Sequence, residues 1–72
     1  MSPTWKAGDK VRWQTPQGET HGVVTRVLHE RTHVHGHDVN ASAAEPRYEV
    51  QSEKSGKMAV HTGDALSADA RH

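Results

Sequence analysis

The spacing of the apolar residues restricts the fold of this chain more than any other feature of its sequence. They lie in short runs that alternate with polar residues, as in GDKVRWQT, where Val11 and Trp13 fall on one side of an extended chain. A period of two is typical of a half-buried β-strand, and no segment shows a convincing helical period. The spacing therefore predicts an all-β domain.

Turn residues separate these runs and set the number of strands. Pro16 and Gly18 favour a reversal after the first run, and Gly56 stands where a hairpin needs positive φ. A GDAL segment near the end predicts one short helical turn. The five predicted strands are GDKVRWQT, HGVVTRVLHE, THVHGHDVN, RYEVQS and KMAVHT.

In the second predicted strand, HGVVTRVLHE, both alternating sets of side chains contain apolar residues. Val24 and Leu28 share one face of a regular strand, whereas Val23 and Val27 share the other. Either both faces are covered for part of the strand, or a β-bulge near residues 25 and 26 shifts its register. A bulge of this kind occurs where a sheet curls into a barrel.

Five short strands are too few for a sandwich and suit a small five-stranded SH3-like barrel, partly open, with a short terminal helical turn. We expect the barrel to span residues 5–66, between a disordered N-terminus (1–4) and a frayed tail (67–72). Trp5 would close one end. The predicted core consists of Val11, Trp13, Val24, Val27, Leu28, Val34, Val39, Tyr48, Val50, Met58, Val60 and Leu66.

Composition narrows the functional classes. The 72 residues include no cysteine, which excludes disulfides and thiolate metal sites, and contain neither an export signal nor an apolar run long enough to span a membrane. We therefore expect a cytoplasmic protein. Nine basic and nine acidic side chains balance at neutral pH, so the strong positive field of a dedicated nucleic-acid binder is missing.

Several segments, taken in order, resemble a known family. GDKVRW, THG, PRYEVQSEKSGK and the stretch from His61 to Leu66 are similar to the hypervirulence-associated protein Tudor domain, a small bacterial and fungal domain of unknown function. The resemblance runs from about Trp5 to Leu66. It implies a five-stranded, Tudor-type SH3-like barrel, in agreement with the strand spacing, and it brings no catalytic residues.

The residues themselves also argue against catalysis. The nine acidic side chains fall at turns or on the polar phase of strands, so none is expected on an apolar face where burial would raise its pKa. A barrel of this size is filled by its own side chains. We therefore expect a protein that is not an enzyme and needs no cofactor.

An interaction module is the expected function, with an unknown protein or peptide as partner. The exposed edge of an open barrel can accept a strand from another chain or from a second copy, so the domain is a monomer or a homodimer. Aromatic rings could instead form a methyl-lysine-type cage, although Trp13 and Tyr48 are in phase with the core. The candidate binding surface comprises Trp5, Trp13, Tyr48, Arg12 and Arg47.

Weak nucleic-acid binding is the first alternative. Five basic residues on the predicted strands and turns could contact phosphates, and His33 or His35 could stack on bases. The zero net charge and the commitment of the aromatic rings to the core oppose it. The basic residues concerned are Lys10, Arg12, Arg26, Arg31 and Arg47.

Histidine-mediated metal binding is the second alternative. His33, His35 and His37 share a face of a regular strand, but the row is about 13 Å long at ~3.3 Å per residue. The outer two could share an ion only if the chain bends, so no metal site is assigned. His21 and His61 lie in segments that carry the family resemblance, and the resemblance also matches GHDVNAS, which contains His37 and Asn40. We predict structural hydrogen-bonding roles for these four residues.

Overall fold

The computed structural model describes residues 4–34 and 36–69, without the side chains of Val34 and His37. These residues form antiparallel strands and one short 3-10 helix, η1 (Gly63–Ala65). None of them belongs to a helix long and apolar enough to cross a membrane. The strands are β1 (Lys10–Thr15), β2 (Gly18–Leu28), β3 (Thr32–Val34), β4 (His37–Val39), β5 (Arg47–Ser52), β6 (Met58–Thr62) and β7 (Ser67–Ala68).

Five of the strands form one sheet in the order β6-β5-β2-β1-β7, and β3 pairs with β4 in a separate hairpin. The all-β class, the helical turn at η1 and four of the predicted strands, now β1, β2, β5 and β6, are confirmed. The third predicted strand is wrong. Gly36 has φ +79° and lies between β3 and β4, so the chain reverses where a single kinked strand was expected.

The bulge predicted in β2 is present. The β2–β5 register shifts between Val24 and Arg26, so that Thr25 is the extra residue. The Thr25 hydroxyl donates to the Glu49 carbonyl oxygen at 3.1 Å, which fixes the extra residue against the neighbouring strand. Because of the shift, Val24 and Val27 both contact the main core although three positions separate them.

Apolar residues are buried on both faces of the sheet. The main cluster contains Val11, Trp13, Val24, Tyr48, Val50 and Leu66, with Trp5, Val27 and Ala59 packed against it. A smaller cluster contains Leu28, Val39 and Ala41, with Val60 packed against it. The sequence therefore predicted most of the buried residues correctly, but one core was expected where the described residues form two.

The predicted orientation of β6 is wrong. Met58 and Val60 were expected to face the main core, yet Tyr48 and Val50 of β5 stand opposite His61 and Ala59. Directly opposed residues lie on the same face of a sheet, so His61 and Ala59 face the main core. Val60 contacts the smaller cluster on the other face.

The predicted frayed tail also needs correction at its start. Ser67 and Ala68 form β7, which pairs with Arg12 and Val11 of β1. The Asp69 amide continues this contact by donating to the Lys10 carbonyl at 3.0 Å. Residues 1–3 and 70–72 lie outside the described residues, and the domain boundaries stay a prediction.

Candidate functional site

Two of the aromatic residues assigned to the binding surface are core residues. Tyr48 is 1% exposed and Trp13 is 6% exposed. The Trp13 ring lies against the His61 ring, with centroids 5.5 Å apart and planes tilted by 43°. Neither aromatic side chain has the exposed face that a cage around a methylated ligand requires.

The other three residues of that predicted surface lie in different elements of the chain. Trp5 is half-buried, and its indole N–H donates to the Gly63 carbonyl at 3.2 Å, which ties the chain before β1 to η1. Arg12 is exposed on β1 and pairs with Glu19 at 3.1 Å. Arg47 begins β5, and β2 separates that strand from β1. Trp5 therefore packs against the main cluster, which contains Trp13 and Tyr48, whereas Arg12 and Arg47 lie on strands that β2 separates.

His21 occupies a polar position between two carboxylates. Its Nε2 lies 3.4 Å from Glu19 Oε1, and its Nδ1 lies 3.3 Å from Asp69 Oδ2. The Asp69 side chain is only 3% exposed. These distances place His21 between β2 and the residue that follows β7. The buried Nδ1 nevertheless makes no hydrogen bond to a described residue, so the hydrogen-bonding role of His21 stays a prediction. Sequence reasoning missed Asp69 because it lay in a segment predicted to be frayed.

His61 is a half-buried polar side chain that lies against Trp13 of the main core. Its Nε2 is buried and finds no hydrogen-bond partner among the described residues. Burial lowers the pKa of His61 from its ordinary value of 6.5, because the charged ring loses its hydration. The side chain therefore packs as a neutral ring against Trp13.

The remaining predicted polar and metal-binding residues lie around the β3–β4 hairpin. His33 Nδ1 is 2.9 Å from Asp38 Oδ1, and Arg31 lies 3.8 Å from the same carboxylate. Asn40 is exposed just after β4. His35 and the side chain of His37 fall outside the described residues. Within the described ones, no group of histidine and acidic side chains could hold a metal ion.

Glu49 contradicts the expectation that every acidic residue lies on a polar face. It is 7% exposed in the middle of β5, on the same face as its cross-strand partner Val60. Its Oε1 accepts a hydrogen bond from Thr25 at 3.0 Å, and its Oε2 lies 3.7 Å from the Arg26 guanidinium. The carboxylate therefore stabilises the bulge, which sequence periodicity could not show.

The hydrogen-bond phase of β6 defines the most distinctive surface of the described chain. The Ser52 amide donates to the Lys57 carbonyl at 2.9 Å in the same register as the β5–β6 ladder. Since bonded and non-bonded pairs alternate in an antiparallel ladder, Ala59 and His61 bond to β5. The N–H and C=O groups of Met58, Val60 and Thr62 therefore point away from β5.

The pairing of β5 with β2 leads to the same assignment of inward and outward backbone groups. The Glu53 amide donates to the His21 carbonyl at 2.9 Å, which assigns the odd-numbered positions of β5 to β2. The even-numbered positions are then directed at β6. Because β6 is the last strand of the sheet, its outward groups form a free edge. Among the described residues, no further strand pairs with this edge.

A groove of about 600 Å³ follows this edge. One wall comes from the end of β4, through Val39 and its neighbours Asp38 and Asn40, and Arg47 lies at one end. The apolar part of the lining is made by Val39, Met58, Ala59, Val60 and Ala65. Of the predicted site residues, the groove therefore gathers Arg47, Asn40 and His61.

A family model described as Hypervirulence associated proteins TUDOR domain matches residues 8–66. The matched segment begins in the turn before β1 and ends after η1, so it contains β1 to β6. No curated protein and no solved structure matches the chain significantly.

Proposed function

The chain belongs to the hypervirulence-associated protein Tudor domain family, and from this premise we propose that it is a small non-catalytic interaction module. In this proposal its partner is an extended segment of a protein or peptide, which lies along the free edge of β6. The observation that carries the proposal is the row of outward backbone groups at Met58, Val60 and Thr62, beside a groove with an apolar lining.

The module is an SH3-like barrel in this proposal. Two strands separate β6 from β1 in the sheet, so β6 and β1 would lie roughly 14 Å apart in a flat sheet with ~4.8 Å between neighbours. Trp13 of β1 and His61 of β6 nevertheless stack at 5.5 Å. The bulge at Thr25 supplies the bend that such curling needs.

The edge of β6 would supply affinity for the partner, and the groove would supply specificity. Backbone hydrogen bonds to β6 give affinity for any extended chain and carry little sequence information, whereas alternate side chains of the partner enter the groove and give specificity. The apolar centre at Val39 and Val60 suits an aliphatic side chain, and Arg47 at the groove's end suits a carboxylate.

Two features support a module without catalytic activity. The buried carboxylate of Glu49 is engaged by Thr25 and Arg26 in holding the bulge. His61 is packed against Trp13, with its Nε2 buried in the core. The Thr25 hydroxyl that contacts the Glu49 carboxylate is also held by the Glu49 carbonyl oxygen, so the bulge accounts for both groups.

The proposal is tested by selecting binders from a displayed library of random 12-residue peptides at low protein concentration. The selected peptide is then titrated into 15N-labelled protein. We expect the shifts to concentrate on β6 and on Asp38–Asn40. Val60→Pro removes an outward N–H without removing a β5–β6 hydrogen bond, so it should abolish binding and leave the domain folded. Val60→Ala keeps the N–H and should weaken binding only modestly.

Thr62→Pro gives a second, milder probe, because Thr62 already has φ −75°, which proline adopts. Its matched control is Thr62→Val, which keeps the N–H and the size of the side chain. The proposal would be overturned if both proline variants, folded by their thermal transitions, bound the selected peptide as tightly as the parent. Shifts confined to the strands β1 and β7 would overturn it as well.

A further inference from the structure

We infer that the strand received by β6 is β6 of a second copy of this chain, so that the domain forms a symmetric antiparallel dimer centred on Val60. This inference rests on the proposed function, since it names the partner for the edge described there. It follows from the self-complementary arrangement of hydrogen-bonding groups, side chains and charges along one strand.

The hydrogen-bonding groups match under a two-fold axis at Val60. In that register Val60 lies opposite Val60 of the second copy, and Met58 lies opposite Thr62. All three positions have their backbone groups directed outward, so each outward position meets another outward position. A register shifted by one residue would instead bring the outward groups of one copy against groups that are bonded to β5.

The charges at the two ends of β6 are complementary in the same arrangement. Lys57 is exposed immediately before the strand, and Asp64 is exposed shortly after it. Neither side chain has an ion pair with another residue that the structure describes. Antiparallel pairing brings Lys57 of each copy to the end where Asp64 of the other lies, whereas parallel pairing would place lysine beside lysine.

The side chains also fit a copy of themselves. Met58, Val60 and Thr62 are half-buried on the face that carries the smaller apolar cluster. Pairing covers the exposed part of Val60 with the same residue and joins the two five-stranded sheets into one. Because each copy contributes only one five-residue strand, the interface is small and the dimer should be weak and concentration-dependent.

Sedimentation equilibrium with charge-swapped variants tests the dimer. Lys57→Asp places aspartate near Asp64 of the other copy at both ends, and we expect self-association about tenfold weaker. Asp64→Lys should weaken it similarly. A mixture of the two single variants should associate, and the double variant should regain the parent's affinity. Lys10→Asp, an equal charge change on β1, is the matched control and should leave association unchanged.

A mixed sample of labelled and unlabelled protein tests the register directly. Ala59 lies opposite His61 of the second copy as a non-bonded pair, with Cα atoms about 4.5 Å apart. We expect an intermolecular Hα–Hα contact between them in an isotope-filtered spectrum. A monomer at millimolar concentration, or a dimer with contacts elsewhere, would overturn this inference. If selected peptides still bound β6 in that case, the proposed function would stand; if they did not, both would fail.

Discussion

At the level of single residues, Gly22 has no room for a side chain. A Cβ built on it would lie 2.7 Å from Trp13 Cη2 and still closer to the Gln51 carbonyl oxygen, which is backbone and cannot move aside easily. Gly22 lies in β2, where φ is ordinary, so its need for glycine comes from packing alone. The absence of a side chain lets β5 and the Trp13 ring approach β2.

We therefore predict that Gly22→Ala destabilises the domain by about 1–3 kcal/mol, as overpacking of a filled core does. Urea denaturation measures the change. Gly36→Ala is the matched comparison, because a Cβ there meets nothing within 4 Å and only the positive φ of +79° opposes it. A larger loss at Gly36 than at Gly22 would show that packing does not explain the glycine in β2.

His61 gives a second prediction at this scale. Its pKa in the folded state is lowered by burial, so the unfolded chain takes up the proton first as the pH falls below 6.5. The free energy of unfolding should therefore fall as the pH is lowered from 6.5 towards the folded-state pKa. His61→Phe keeps a ring against Trp13 and should remove this part of the pH dependence.

The measurement is the urea midpoint at a series of pH values from 7.5 to 5. His29→Phe serves as the control, since His29 is exposed, and it should reproduce the parent's curve. Equal pH dependence in the parent and in His61→Phe would contradict the assigned burial of the ring. An NMR titration of the parent gives the direction of the His61 shift independently.

At the level of elements, β7 is short but well connected. Its two residues pair with β1, the Arg12 guanidinium donates to the Ala68 carbonyl at 3.3 Å, and Asp69 contacts Lys10 and His21. We predict that truncation after Leu66 costs roughly 2–4 kcal/mol, from several net hydrogen bonds of 0.5–1.5 kcal/mol each. Truncation after Asp69 keeps these contacts and is the control in the same urea series. Equal stability of the two truncated forms would contradict the role of β7.

The sequence predicted strands well where one face is apolar, and less well where both faces are covered. RYEVQS alternates clearly, and Tyr48 and Val50 are buried as expected. In KMAVHT the more apolar phase, Met58 and Val60, was assigned to the main core, but that core is reached by the small Ala59 and by His61. When both faces of a sheet are buried, the alternation of side chains does not show which set faces which apolar cluster.

The edge of β6 could not be predicted because it depends on pairing between distant segments. The outward direction of Met58, Val60 and Thr62 follows from the β5–β6 register and from the turn bond between Ser52 and Lys57. The groove needs β4 beside β6, whereas the spacing of THVHGHDVN predicts a single strand in place of β3 and β4. β7 was missed because two residues carry no period.

At the level of the whole molecule, charge decides whether nucleic acid is a partner. Nine basic and nine acidic side chains cancel at pH 7, and several cations are paired with carboxylates, including Arg12, Arg26 and Arg31. The chain also contains seven histidines, so its net charge becomes more positive as the pH falls below neutrality. Affinity for phosphates should therefore depend on pH through histidine protonation.

We predict no retention of single-stranded or duplex DNA at pH 7.5 in 50 mM salt, and weak retention at pH 5.5 that disappears as salt is added, because counterion release drives it. Fluorescence anisotropy with a labelled 20-mer of each kind measures both conditions. Arg47→Gln tests whether the groove contacts DNA. If the attraction comes only from the net positive charge of the domain, the variant should lose a little affinity for both probes at pH 5.5. Salt-resistant binding at pH 7.5 that Arg47→Gln abolishes would instead identify the groove beside β6 as a nucleic-acid site, and the interaction of this domain with extended protein segments would have to be reconsidered.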